Sequence, residues 1–294
     1  MGQEQPARTG VRRVVPLLLG WERLPLWVSL HGAPREQRIV EPVPAVLLET
    51  DDGWLLLDTG FNTALIRDPA LHRRFYGSPA YQPALPGPGD PLLDALASVG
   101  VRLEDIGAVA ISHLHADHAG GLKHFAGRVP VHVQRAELGF GLSGSPEVER
   151  NTIYRVDFDD PRIDWRRCDG DTVLAPGVTA VLTAGHTPGH QSFVVELAGG
   201  GGFVFAFDAA DLTENIREER PIGVCIGCTP EQSLGPIRRL KQIAAERGLE
   251  LVPGHDPAVW PELLRRLGTP VPAGPTHQTD RARTEGDGSC RACC

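Results

Sequence analysis

The chain has 294 residues, and its 41% of hydrophobic and 22% of charged residues are ordinary for a globular protein. The formal net charge of -8 argues against a nucleic-acid partner or an anionic membrane surface, because both require concentrated lysine and arginine. Pro16 interrupts the N-terminal apolar run 14–19 and Glu22 follows it closely, which argues against a signal peptide, and six unevenly placed cysteines argue against a disulfide framework. No segment has the roughly 18 apolar residues that span a bilayer, so the sequence predicts a cytoplasmic protein.

Three regions are predicted along the chain. Residues 1–40 show little periodicity and are predicted to form an irregular N-terminal cover. Residues 41–269 form the predicted main domain. Residues 270–294, which are rich in proline, glycine and charge, are predicted to be a disordered tail.

The main domain begins with two apolar runs, 44–49 and 53–57, joined by Asp51-Asp52-Gly53, which is typical of a β-hairpin turn. The polar segment 143–164 is predicted to be a surface excursion that shapes a substrate pocket. The other predicted elements are helices 63–75 and 90–98, strands 107–111, 129–134, 172–174, 178–183, 192–197 and 203–207, helix 230–247, strand 250–252 and helix 258–267. Along the chain, these elements fall into two successive groups, each of which begins with strands and ends with a helix. This order predicts an α+β protein in which two sheets pack face to face with helices outside, a four-layer αββα sandwich.

A dense group of potential metal ligands follows the predicted strand 107–111. His113, His115, Asp117 and His118 lie within six residues, and alternate side chains of an extended segment share one side. Neutral imidazole and carboxylate are the ligands that zinc and similar divalent ions favour. A single loop histidine is usually solvated or hydrogen-bonded, but four such residues at the mouth of an apolar strand predict a metal site.

Three further candidate ligands lie where later predicted strands become loops. His186, Asp208 and His255 each follow an apolar strand, so they can meet the histidine-rich segment at one rim of a sandwich. The other histidines lack this setting. His190 is interpreted as structural, and no role is assigned to His31, His72, His124, His132 and His277.

The pattern His113-x-His115-x-Asp117-His118, followed by His186, Asp208 and His255, resembles the ligand set of the metallo-β-lactamase superfamily over residues 40–267. The resemblance implies the metallo-β-lactamase sandwich and two metal ions. It implies that His113, His115 and His186 hold the first ion, that Asp117, His118 and His255 hold the second, and that Asp208 bridges them. Asp58, in Leu-Asp-Thr-Gly, is implied to orient the histidine loop. The expected ions are zinc, with iron, manganese or cobalt as alternatives.

Within the superfamily, residues 184–192, 208–215 and 252–256 resemble the quorum-quenching N-acyl homoserine lactonases. This implies a hydrolase that opens a lactone by attack of a metal-bound hydroxide, because metal binding lowers the pKa of water to about 7. Asp117 and Asp208 are the predicted catalytic residues, with Asp117 passing a proton to the leaving oxygen. Many of these lactonases have a tyrosine where this chain has Asp211, which makes Asp211 a candidate pocket residue and leaves a related lactone, ester or amide open as the substrate.

A glyoxalase II-like thioesterase shares every predicted metal ligand and is the alternative function, beside other amide or ester hydrolases of this fold. His115 argues against a diiron oxygen reductase, in which glutamate usually takes that place. Cys225-Ile-Gly-Cys228 is weak support for a redox pair or structural zinc, because no second pair accompanies it. The expected partner is a small-molecule substrate, and homodimer formation is left open.

Overall fold

Two β-sheets form the centre of the computed structural model, which describes residues 10–275. The strands are β1 (Arg13–Pro25), β2 (Arg38–Thr50), β3 (Gly53–Leu57), β4 (Gln82–Ala84), β5 (Ile106–Ala110), β6 (Pro130–Gln134), β7 (Asp164–Cys168), β8 (Thr172–Ala175), β9 (Val178–Leu182), β10 (Gln191–Glu196), β11 (Gly202–Phe205) and β12 (Glu250–Val252). The helices are α1 (Leu26–Ser29), α2 (Thr63–Arg67), α3 (Pro69–Phe75), α4 (Pro91–Ser98), α5 (Ala116–Ala119), α6 (Arg135–Gly141), α7 (Pro146–Arg150), α8 (Arg155–Phe158), α9 (Thr213–Arg217), α10 (Leu234–Arg247) and α11 (Val259–Arg266). Short 3-10 turns lie at Leu103–Asp105, Leu122–His124, Phe207–Ala209 and Pro230–Ser233.

The strands form a seven-stranded sheet of order β4-β1-β2-β3-β5-β6-β7 and a five-stranded sheet of order β12-β11-β10-β9-β8. Between the sheets, Val46 and Leu57 of the first belong to one buried cluster with Phe193 and Phe205 of the second. A second cluster joins the outer face of the seven-stranded sheet to α4, and a third joins the five-stranded sheet to α10 through residues such as Leu240. The predicted four-layer αββα sandwich is confirmed.

The N-terminal region differs from the prediction. Residues 13–25, predicted as part of an irregular cover, form β1, which pairs antiparallel with β2 along its length. Because both faces of this strand are buried, its sequence lacks the alternation of polar and apolar residues that marks a half-buried strand. Pro16 is tolerated because β4 pairs with β1 only at 21–23, so that the earlier part of β1 lies at the sheet edge. The folded domain therefore includes β1 and begins well before residue 41.

Most other predicted helices and strands of the main domain lie where the sequence placed them, but the predicted helix 63–75 is divided at Asp68 into α2 and α3. The hairpin is confirmed by the pairing of Thr50 in β2 with Gly53 in β3. The excursion 143–164 contains the short helices α7 and α8, and residues 270–275 of the predicted tail have no helix or strand. Within residues 10–275 no helix has the length and apolar character needed to cross a membrane. The rest of the predicted tail, with His277, and residues 1–9 of the predicted N-terminal cover lie outside the described part of the chain.

One carboxyl group is buried beneath the excursion. Asp157 of α8 is 4% exposed; its Oδ1 accepts a hydrogen bond from Asn62 Nδ2 at 2.8 Å, and its Oδ2 has no partner among the described residues. Burial raises the pKa of Asp157 to about 7. The folded chain therefore binds this proton more tightly than the unfolded chain does. The contribution of this proton to the free energy of unfolding is fully present below about pH 4, and it is lost as the pH rises through about 7.

Asp157→Asn is expected to remove this part of the pH dependence, because the amide keeps an acceptor for Asn62 and has no proton to lose. Between about pH 5 and pH 8, the variant should lose about 2 kcal/mol less of its free energy of unfolding than the wild type. Urea denaturation at the two pH values measures this difference. Asp159→Asn, at an exposed ion pair with Arg155, is the control and should behave as the wild type. An equal pH dependence in all three proteins would contradict the assignment.

Candidate metal centre and substrate cavity

Four loops meet at one end of the sandwich. After β5 the chain runs through His113 and His115 to α5, whose first turn carries Asp117. The other loops lie between β9 and β10, after β11, and between β12 and α11. They bring together all of the sequence-predicted ligands, each of them buried: His113, His115, Asp117, His118, His186, Asp208 and His255. His186, Asp208 and His255 follow strands as predicted, whereas Asp117 and His118 lie in α5, so the predicted alternation along an extended segment holds only for His113 and His115.

Four atoms form the first ligand group. His115 Nδ1 lies 2.9 Å from His113 Nε2 and 2.8 Å from His186 Nε2. Asp208 Oδ2 lies 3.6 Å from His113 Nε2 and 3.3 Å from His186 Nε2. All four atoms lie within 4.8 Å of one another, so a single divalent ion can contact them together.

The second ligand group contains Asp117, His118 and His255. His118 Nε2 lies 2.8 Å from Asp117 Oδ2 and 3.2 Å from Asp208 Oδ1. His255 Nε2 lies 3.0 Å from Asp208 Oδ1 and 3.8 Å from Asp117 Oδ2. The two oxygens of Asp208 thus face different groups, which is the arrangement expected of a carboxylate that bridges two ions.

The electrostatics of the site fit metal binding. Burial lowers the pKa of His113, His115 and His186, so these rings are neutral and have lone pairs to offer. Burial opposes the charged form of His118 as well, but nearby carboxylates, Asp117 foremost, raise its pKa well above the usual range. This second group therefore favours a positive charge, which a divalent ion supplies. Although His118 Nε2 lies 2.8 Å from Asp117 Oδ2, it makes no hydrogen bond of acceptable geometry with the described residues, as expected of an atom that a metal would contact.

Asp58 holds the histidine-rich loop in place. Its Oδ2 lies 2.7 Å from His118 Nδ1 and accepts a hydrogen bond from Ser112 Oγ at 2.7 Å, while its Oδ1 accepts one from Ser112 N at 2.6 Å. The backbone of Asp58 has a φ of 59°, a left-handed conformation that residues other than glycine rarely adopt. The contact with Nδ1 leaves Nε2 of His118 to face the ligand groups.

Two backbone carbonyls orient other rings. His255 Nδ1 lies 2.8 Å from the oxygen of Pro42, and His186 Nδ1 lies 3.2 Å from that of Val224. In both rings the Nε2 atom therefore faces the ligand group. These contacts have no sequence signal, because every residue carries a carbonyl.

Two glycines allow α5 to approach the loop after β3. A Cβ on Gly120 would lie 2.0 Å from the backbone nitrogen of Asn62, and one on Gly121 would lie 2.4 Å from the oxygen of Thr59. In the space that they leave, Thr59 N donates a hydrogen bond to His118 O at 2.8 Å. The glycine pair after the histidines thus serves close packing.

The ligand groups open onto a cavity of about 290 Å³. Asp211 lies in its wall, and residues 150–152 of the excursion also line it, as the sequence predicted for this segment. The remaining lining residues are Glu22, Leu24, Pro25, Trp27, Val28, Ser29, Glu41, Ala80, Tyr81 and Val224, together with the ligands His115, Asp117, His186, Asp208 and His255. A larger cleft of about 810 Å³ lies between α9 and α11 and contains none of the predicted ligands.

Sequence reasoning missed three buried glutamates near the site. Glu22 and Glu41 line the cavity. Glu137 of α6 ties two ligand loops together: its Oε1 accepts a hydrogen bond from Leu114 N at 3.0 Å, and its Oε2 accepts one from Thr187 Oγ1 at 2.7 Å. The sequence feature that could have indicated them is a charged residue within an otherwise apolar stretch, such as Glu41 between Val40 and the apolar run 42–48.

Other singled-out residues lie outside the two ligand groups. The structural interpretation of His190 agrees with the 2.8 Å distance between its Nδ1 and Thr183 Oγ1. Cys225 and Cys228 are half-buried free thiols, and Cys228 Sγ donates a hydrogen bond to Gly185 O at 3.2 Å. Within residues 10–275, the clusters of potential metal ligands contain no cysteine.

Comparison with known proteins shows similarity over most of the chain. The family model of the metallo-beta-lactamase superfamily matches residues 38–255. N-acyl homoserine lactonase AiiA of Bacillus thuringiensis subsp. kurstaki is 31% identical over 215 residues, which cover 73% of this chain and 81% of that protein. N-acyl homoserine lactonase AttM of Rhizobium johnstonii is 31% identical over 228 residues, covering 74% of this chain and 83% of that protein.

A solved structure shows the same architecture. It is an N-acyl homoserine lactone hydrolase with the product N-hexanoyl-L-homoserine bound at its catalytic metal centre. It superposes with a TM-score of 0.74 at 28% sequence identity, over 85% of this chain and 95% of that one. The two-sheet architecture described above is therefore shared with that hydrolase.

Proposed function

Because the chain belongs to the metallo-β-lactamase superfamily and its similar relatives are N-acyl homoserine lactonases, we propose that it hydrolyses the ester bond of a lactone, with N-acyl homoserine lactones as the first candidates. The observation that carries the proposal is a pair of buried ligand groups that share Asp208 and open onto one cavity. A cavity of about 290 Å³ has the size of a site for a small molecule.

In this proposal the two ligand groups hold two divalent ions, with zinc as the first choice. His113, His115 and His186 would hold the first ion and Asp117, His118 and His255 the second, and Asp208 would offer one oxygen to each group. When bound, the ions supply Lewis acidity, which lowers the pKa of water and polarises the ester carbonyl. Iron, manganese and cobalt accept the same imidazole and carboxylate ligands.

The protein's own residues position the reactants and move the proton. Asp208 sets the spacing of the two groups through its two oxygens. Burial opposes the ionisation of Asp117, but His118 lowers its pKa, so Asp117 is a carboxylate that can accept a proton. Asp117 takes this proton from the attacking water and passes it to the ring oxygen as the ester bond breaks. Overall, water adds across the bond: its hydroxyl joins the acyl carbon and its hydrogen joins the ring oxygen.

The zinc-loaded protein is expected to open N-hexanoyl-homoserine lactone and to release a proton as the new carboxylic acid ionises. A pH indicator in weak buffer measures the rate, and mass spectrometry identifies the product by the gain of one water. Removal of metal by a chelator should abolish turnover, and zinc should restore it. S-lactoylglutathione is the comparison substrate: turnover of this thioester without any lactone hydrolysis would replace the proposal by the thioesterase alternative.

We also propose that the protein works in the cytoplasm. The cysteines among the described residues, Cys168, Cys225 and Cys228, are all free thiols, as expected in a reducing compartment.

A further inference from the structure

Glu137 of α6 is a fully buried carboxyl group whose two oxygens are both occupied. Oε1 accepts a hydrogen bond from Leu114 N at 3.0 Å. Oε2 accepts two, from Thr187 Oγ1 at 2.7 Å and from Gly189 N at 3.0 Å. A buried carboxylate is costly unless hydrogen bonds replace its water, and three donors on two different loops supply them here. Glu137 is not among the residues that line the cavity, so it acts through these loops.

The donors lie directly beside the histidines of the first ligand group. Leu114 lies between His113 and His115 in the loop after β5. Thr187 directly follows His186 in the loop between β9 and β10. The first group therefore takes its imidazoles from the two loops that Glu137 joins. Since His186 Nε2 lies 2.8 Å from His115 Nδ1, a shift of one loop against the other would change the spacing of the ligand atoms.

The second ligand group is anchored by other contacts. Asp58 Oδ2 lies 2.7 Å from His118 Nδ1, and the oxygen of Pro42 lies 2.8 Å from His255 Nδ1. The hydrogen bonds of the Glu137 side chain go to none of these residues. A change at Glu137 is therefore expected to act on the first group and to leave the second in place.

We propose that Glu137 is a positioning residue that sets the metal affinity of the first ligand group, because its carboxylate holds the segment between His113 and His115 against the loop of His186. Metal–ligand distances in well-formed sites vary by only about 0.2 Å, so a small displacement of either loop weakens the binding of an ion. The inference rests on the metal assignment of the proposed function and deepens it, since it names the residue that controls occupancy of the first site.

Glu137→Gln tests the proposal, because glutamine keeps the size of the side chain but has one acceptor oxygen. When that oxygen faces Thr187 and Gly189, the amide nitrogen faces Leu114 N, and a buried donor meets a donor. Competition with a chelator of known zinc affinity measures the two binding steps, and the step that His115→Ala weakens belongs to the first group. Glu137→Gln is expected to weaken that step by about 10- to 100-fold and to leave the other unchanged.

Excess zinc separates a positioning role from a general loss of stability. At saturating zinc, Glu137→Gln should bind two ions per chain and recover the wild-type rate of lactone hydrolysis. Thr187→Val, which removes one of the three donors, is the second variant in case the first unfolds, and it should weaken the first step by a smaller factor. Glu104→Gln, at an exposed ion pair with Arg102, is the control and should keep both affinities.

The measurements of zinc affinity do not depend on turnover. Selective weakening of the first step in a protein that hydrolyses no lactone supports the positioning role and refutes only the proposed function. Equal weakening of both steps, an unchanged first step in the folded variant, or an active protein whose Glu137→Gln variant is not restored by zinc would overturn the role of Glu137 and leave the proposed function intact.

Discussion

Replacement of either His115 or Asp208 by alanine is expected to lower the rate of lactone hydrolysis by about three orders of magnitude, since each change removes several kcal/mol of transition-state stabilisation. His115 Nδ1 lies 2.9 Å from His113 Nε2 and 2.8 Å from His186 Nε2, so its loss opens the first ligand group. Asp208 faces both groups, so its loss affects both. Elemental analysis should show less metal per chain in each variant, with the larger loss in Asp208→Ala.

His31→Ala is the matched control for these variants. His31 is exposed and lies outside the cavity, so its replacement should leave both the rate and the metal content unchanged. Circular dichroism and thermal unfolding establish that each variant is folded. A folded Asp208→Ala protein that keeps two ions and the wild-type rate would disprove the bridging assignment.

Asp58→Asn is expected to reduce metal affinity or kcat/KM by about 10- to 100-fold. Asp58 has this effect from outside the cavity, because it contacts the Nδ1 atom of His118 and not the Nε2 atom that faces the ligand groups. The carboxylate contacts His118 Nδ1 and accepts hydrogen bonds from Ser112 N and Ser112 Oγ. An amide has one acceptor oxygen, so at least one of these donors would face another donor. Asparagine tolerates the left-handed backbone at this position, so the change tests the hydrogen bonds and not the turn.

Competition with a chelator of known zinc affinity measures the first effect, and initial rates on the lactone measure the second. Asp51→Asn, in an exposed ion pair with Arg12, is the control for the loss of one carboxylate. The orienting role would be excluded by an Asp58→Asn protein with unchanged zinc affinity and unchanged kcat/KM.

Sequence reasoning predicted those elements of the fold that have a clear local pattern of turn residues or apolar residues. The hairpin of β2 and β3 has a turn sequence at 51–53, and α10 has a clear apolar stripe. β1 was missed because a strand buried on both faces has no alternation to detect. Its recognition required the partner strand β2, whose pairing with β1 is a tertiary feature.

The sequence by itself determined which side chains are available for metal binding, because ligand chemistry depends on residue type and the spacing from His113 to His118 already brings four ligands together. It also indicated that His186, Asp208 and His255 follow strands. Only the tertiary structure decided which oxygen of Asp208 faces which group, that Asp58 contacts His118, and that Glu22 lies opposite Glu41. These relations join residues distant in the chain, and their geometry arises from strand pairing and packing that no local pattern encodes.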